Sequence, residues 1–148
     1  MNEEGLLGRW PLAGDTSDHS PAKHPTNAVE VELGAEGPGG RPGTAACFNG
    51  ARSALEVHDR PGLRFGTGDF SVALWVRDDP ENGDVIGDLV SKFDPVARRG
   101  FQLSAVSNFG VTSTAQSNRR QLSFGIDDGR IDPEWTDCGR PGLSLIHI

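Results

Sequence analysis

Glycine and proline interrupt nearly every candidate element of this chain, and that punctuation most constrains what it can fold into. Gly and Pro number 20 and 10 in 148 residues. No window of about eleven residues or more keeps a 3.6-residue apolar period, so no amphipathic helix is expected. What remains is a series of short alternating runs bounded by turn signals. That is the pattern of an antiparallel sandwich or barrel.

The runs read as follows. In residues 5–12, Leu6, Trp10 and Leu12 share parity, but Gly8 and Pro11 make any strand there an irregular edge. Residues 13–27 form a polar loop. Residues 28–33 alternate strictly, with Val29, Val31 and Leu33 on one side and Glu30 and Glu32 on the other. Residues 34–43, rich in Gly and Pro, read as a loop. Residues 44–48 and 53–57 read as two strands of a hairpin around Asn49-Gly50, a strong hairpin dipeptide. The most regular run is 69–77: Phe70, Val72, Leu74 and Val76 share one face, and Ser71, Ala73 and Trp75 share the other. It reads as a central strand of a sandwich, with Trp75 in the core. After an acidic turn at 78–84, residues 85–93 and 100–106 form two strands, with Asp94-Pro95 starting the turn between them. Phe101, Leu103 and Ala105 are expected to point inward. Residues 107–119 read as a loop or weak ribbon, and 120–126 set Leu122, Phe124 and Ile126 on one face.

Several strings, in this order, resemble a known family. They are Gly5-Leu6-Leu7-Gly8-Arg9-Trp10-Pro11-Leu12 with Asp15 and Asp18-His19-Ser20, then Cys47-Phe48-Asn49-Gly50, Leu55-Glu56-Val57 and Gly66-Thr67-Gly68-Asp69-Phe70-Ser71-Val72-Ala73-Leu74-Trp75-Val76. Leu89-Val90-Ser91-Lys92 and Gly100-Phe101-Gln102-Leu103 follow. Together they resemble the LamG-like jelly roll of the concanavalin A-like lectin/glucanase superfamily. The resemblance implies an all-β, antiparallel jelly-roll β-sandwich over residues 1–129. Asn49 stands where the family carries Asp, and Pro21 where it usually carries Gly. The family's closing strands are missing from the sequence, so the sandwich is expected to be truncated at its C-terminal side. Residues 130–142, with Trp135, are expected to begin either a closing strand or a downstream repeat domain.

The last six residues, Leu143-Ser144-Leu145-Ile146-His147-Ile148, match a transposase-end sequencing adapter translated in frame. They are expected to be an artefact with no part in the native fold. On that expectation the native chain continues past Gly142. The alternative is a genuine short C-terminal strand. Met1-Asn2-Glu3-Glu4 opens no basic segment followed by an apolar one, so no secretory signal is read; the chain as written is expected to start in the cytoplasm, and export would need an upstream segment or a non-classical route. Apolar stretches reach only about five residues against the roughly 20 that span a bilayer, so membrane insertion is not expected. Lys and Arg total 14 against 21 Asp and Glu, a net charge of −7, which argues against a nucleic-acid partner. Cys47 and Cys138, far apart, make no disulfide framework and read as ordinary buried or half-buried thiols.

Asp15 and Asp18 share one loop with Ser17, Ser20 and Asn27. They read as turn formers, whose short side chains cap local backbone. The alternative is a Ca²⁺ site, since Ca²⁺ takes six to eight oxygen ligands from flexible loops. The resemblance implies the same, because family members often bind calcium. Asp127 and Asp128 are a second candidate pair. His19 and His24 lack a third zinc ligand at a telling spacing and read as solvated. Glu30 and Glu32 are the nearest approach to a glycosidase carboxylate pair, but their spacing is wrong for two groups aimed at one bond. No nucleophile elbow, Walker loop or dinucleotide fingerprint occurs. Trp10, near an edge, is a weak candidate for ligand binding. The expectation is a non-catalytic module that recognises a glycan or a protein, within a larger multidomain bacterial protein. A structural or interaction spacer is the alternative, and a glycosidase-type enzyme comes last.

Overall fold

The computed structural model describes residues 4–77, 86–106, 121–129 and 146–147. Within them the fold is all-β. Antiparallel strands form small sheets, and a three-residue 3-10 turn at Pro61–Leu63 stands in place of any α-helix. The chain divides into two compact units, Met1–Arg77 and Asp78–Ile148, and the range 1–129 runs across both.

The first unit holds β1 (Thr26–Val29), β2 (Glu32–Gly37), β3 (Arg41–Cys47) and β4 (Ala54–Val57). They make two separate ladders, β1 with β4 and β2 with β3. The second corrects the expectation of a loop over 34–43, which instead supplies the turn and inner arms of a hairpin. Gly39 and Gly40 take φ of +74° and +73°, left-handed backbone that costs glycine no Cβ clash. The Gly40 N–H donates to the Gly37 carbonyl at 3.1 Å. Pro42, which has no N–H for a ladder, falls where the register slips between Gly37↔Arg41 and Ala35↔Ala45.

The alternating run 28–33 is not one strand. Glu30 turns to φ +48°, ending β1 at Val29 before β2 starts at Glu32. The expected hairpin around Asn49-Gly50 is also corrected, since β3 and β4 pair with other strands. Asn49 explains the junction between them. Its Oδ1 accepts from the N–H groups of Ala51, Arg52 and Ser53 at 2.9, 3.0 and 3.1 Å, and from Ser53 Oγ at 2.9 Å. The side chain thus closes a local loop by itself, and no cross-strand ladder is needed. β4 then pairs with β1 from Thr26↔Val57 to Val29↔Ala54. Within that ladder Asn27 Nδ2 donates to Glu56 Oε2 of its register partner at 3.0 Å.

Residues 69–77 depart furthest from expectation: they are not a strand. Trp75 is 87% exposed rather than in the core, and Val72, Leu74 and Val76 are exposed with it. Phe70, half-buried, stacks on Phe65 with ring centroids 4.7 Å apart. The physical reason is that a strand is not a local structure. Alternation supplies a face, but the ladder needs a neighbour, and among the described residues none is in register with 69–77. Residues 5–12 likewise form no strand.

The second unit is a meander of β5 (Ile86–Asp94), β6 (Arg99–Val106), β7 (Gln121–Asp128) and β8 (Ile146–His147), hydrogen-bonded in that order. Asp94 opens the β5–β6 turn as expected, its Oδ1 accepting from Val96 N at 2.9 Å and Ala97 N at 3.0 Å. Those N–H groups, Ala97's first, hold its carboxyl below the ordinary value. Phe101 faces Ile126, and Leu103 faces Phe124. Phe101, 6% exposed, is the buried apolar side chain among the described residues, with the Phe124 ring 6.1 Å away. Leu122 and Ile126 stay exposed. Across β5 and β6, Ser104 Oγ donates to Asp88 Oδ1 of its register partner at 2.6 Å. Ile146 and His147, within the tail expected to be adapter-derived, pair with Phe124 and Ser123 of β7. A β-branched apolar run can add to an open edge whatever its origin. The features expected at 78–84, 107–119 and 130–142, including Trp135 and Cys138, lie outside the described residues.

Candidate functional site

The loop before β1 closes on Asp18, which is 3% exposed although the sequence there is polar. Its Oδ1 accepts from Arg9 N at 2.9 Å and Ser20 N at 2.8 Å. Its Oδ2 accepts from Ser20 Oγ and His24 N, both at 2.8 Å. Burial pushes the Asp18 pKa up, but the N–H groups of Arg9, Ser20 and His24 outweigh it and hold the carboxyl at about 2. Ser20 is fully buried beside it. A backbone bond from His19 N to Arg9 O, 2.7 Å, ties the same two stretches together.

Asp15 lies apart and exposed. Its Oδ1 accepts from Ser17 N at 2.8 Å, and its two oxygens lie 3.1 and 3.2 Å from His19 Nε2. The Ser17 N–H, and then His19, hold its carboxyl below the ordinary value. These contacts bear on the fit to calcium. A carboxylate has about four lone-pair positions. All four of Asp18 are filled by protein donors, so Asp18 does not fit a Ca²⁺ ligand in this conformation. Asp15 alone falls far short of a calcium shell. His24 Nε2 lies 2.9 Å from Leu7 O, so both histidines expected in solvent have protein partners. Among the described residues no group of three or more His, Cys, Asp or Glu is placed to hold a metal ion.

The other sequence candidates are also separately placed. Asp127 is buried, with Oδ1 accepting from Gly129 N at 2.9 Å and Oδ2 from Arg98 Nη2 at 3.1 Å. It locks the β5–β6 turn to the end of β7. Glu30 and Glu32 are both exposed, Glu30 at the kink itself and Glu32 at the start of β2, and Glu30 Oε2 accepts from Asn49 Nδ2 at 3.2 Å. Trp10 is half-buried, its ring lying so close over Gly8 that a Cβ there would run into it. The Trp10 indole N–H is buried with no acceptor among the described residues. One side of the Trp10 ring is therefore set against Gly8.

Trp75 presents an open aromatic face. With Ala73 and Leu74 it lines a shallow depression of about 310 Å³. A mid-strand position hid it, because the alternation of 69–77 says which residues share a face but not whether that face is covered. No helix of the described residues is long and apolar enough to cross a membrane. In comparisons with known proteins, the chain matches no family model, no curated protein and no solved structure.

Proposed function

We infer that this chain is a non-catalytic binding module, built on a LamG-like jelly-roll β-sandwich within a larger bacterial protein. Its ligand is a glycan, held against the indole of Trp75. The observation that carries this reading is the exposure of Trp75 beside Ala73 and Leu74. A large aromatic is seldom left so open to water, and an open ring edged by aliphatic carbons suits the C–H face of a pyranose. The order of family-like strings from Gly5 to Leu103 supports the sandwich.

A glycan array tests this. Saturable binding to at least one sugar class is expected, and Trp75→Ala is expected to abolish it while the circular dichroism spectrum stays unchanged. Binding that survives Trp75→Ala would move the site elsewhere. Silence across the array would favour the spacer reading.

A further inference from the structure

The segment 69–77 has a second property, independent of sugar binding. It is written so that it can pair with itself. Set antiparallel against a copy of itself about Ala73, Asp69 stands opposite Arg77, Phe70 opposite Val76, Ser71 opposite Trp75, and Val72 opposite Leu74. Each cross-strand partner is of matching kind at its position: opposite charges at both ends, apolar pairs on one face, and a small residue beside the indole on the other. No backbone hydrogen bond of residues 71–76 occurs among the described residues. The side chains of 71–76 are all exposed. Such a row of N–H and C=O groups, without partners among the described residues and rich in β-branched and aromatic residues, is a template for another strand.

We propose that residues 69–77 form an interface in which two copies of this chain pair edge to edge, antiparallel and centred on Ala73. The charge register selects a second copy as the occupant. A two-fold interface must be self-complementary, and this one places both Asp69–Arg77 pairs correctly by a single operation. Arg77 now lies 3.8 Å from Glu36, and both side chains are largely exposed. That contact is weak enough to exchange for Asp69 of the second copy. The hydrogen bonds of pairing run along the backbone edge, in the plane of the ribbon, so the face that carries Trp75 remains open. The two indoles then lie on one side of the ribbon, about 13 Å apart along it.

The test uses the full chain with Cys47→Ser and Cys138→Ser, so that an added thiol is unique. Light scattering across the micromolar range is expected to show a monomer–dimer equilibrium. Ala73→Cys is expected to cross-link with dibromobimane, because position 73 faces itself. Ser71→Cys is not, because its two copies lie about 13 Å apart in this register. Asp69→Arg is expected to raise the dimer dissociation constant about tenfold, by placing like charges opposite each other twice. Adding Arg77→Asp to Asp69→Arg is expected to restore dimerisation. A monomer at every concentration would overturn the proposal, and so would protection of the 71–76 amides from exchange in that monomer, since the chain's own residues would then be the occupant. An assembly in which Ser71→Cys cross-links as well as Ala73→Cys, or in which charge reversal has no rescue, would also overturn it.

Discussion

The loop around Asp18 and the segment 69–77 belong to the same unit, and they meet water in opposite ways. The loop is made of residues that favour solvent, and it contains the most buried side chains among the described residues of the unit, Asp18 and Ser20. The segment is made of residues that favour burial, and every side chain from Ser71 to Arg77 is exposed. The difference lies in how far each group must reach for its partners. Asp18 finds its donors between Arg9 and His24, a short length of chain that one carboxylate can gather. A strand finds its partners only where another strand has been delivered, and the closure entropy of delivery grows with chain separation. Composition therefore predicts burial poorly when hydrogen bonds are local and ladders are not.

The largest effect is expected from breaking the buried side of this comparison. Asp18→Ala would leave the Arg9, Ser20 and His24 N–H groups and the Ser20 hydroxyl without their acceptor. A loss of about 3 kcal/mol in urea unfolding is expected, because unpaired buried donors keep their full desolvation penalty. A loss below about 0.5 kcal/mol would put the loop in the class of ordinary surface sites.

Acid sharpens the same point. The Asp18 carboxyl falls from an ordinary value of 3.8 to about 2 in the folded chain. A depressed folded value means the charged form is favoured by folding. Its stabilisation is fully present above about pH 5 and is lost as pH falls through 3.8 towards 2. The shift corresponds to about 2 kcal/mol. Wild type is expected to lose that much more stability than Asp18→Asn between pH 5 and 2, followed by urea midpoints at each pH. Parallel curves would remove Asp18 from the acid response.

The smallest effect is expected from the exposed side. Trp75→Ser should change unfolding stability by no more than about 0.5 kcal/mol, as at other open surface sites. It should also lower the fraction of tryptophan fluorescence that iodide can quench. A loss of several kcal/mol would mean that Trp75 is packed in solution and would erase the contrast between the two regions.

What the sequence made legible follows the same division. The β5–β6 turn was readable because Asp94-Pro95 carries its own chemistry, an acceptor that caps the next N–H groups. The all-β class was readable because Gly and Pro deny a helix its length. The inward face of β6 was readable at Phe101. The pairing of β1 with β4 was not, because nothing in 26–29 or 54–57 names a partner across the intervening chain. The Glu30 kink was hidden by an alternation that continued through it. At the candidate site, Asp15 and Asp18 were found as turn formers by residue type, but which of them would be buried depended on backbone donors that side-chain identity does not encode. Trp75 was seen and placed on the wrong side of the boundary with water, since its burial depended on neighbours rather than on itself.

The ladders of the first unit are nested: β1–β4 encloses β2–β3. That arrangement sets an order of assembly. While the chain is open, bringing Val29 to Ala54 means closing everything between them at once. After Pro38-Gly39-Gly40 has folded β2 onto β3, the same approach spans only the short connectors at 30–31 and 48–53. The inner hairpin lowers the closure entropy of the outer ladder, and the reverse order gains nothing comparable. The least costly route therefore runs from the inside outward. The Asn49 loop, whose single oxygen gathers four donors, is the hinge on which the second step turns.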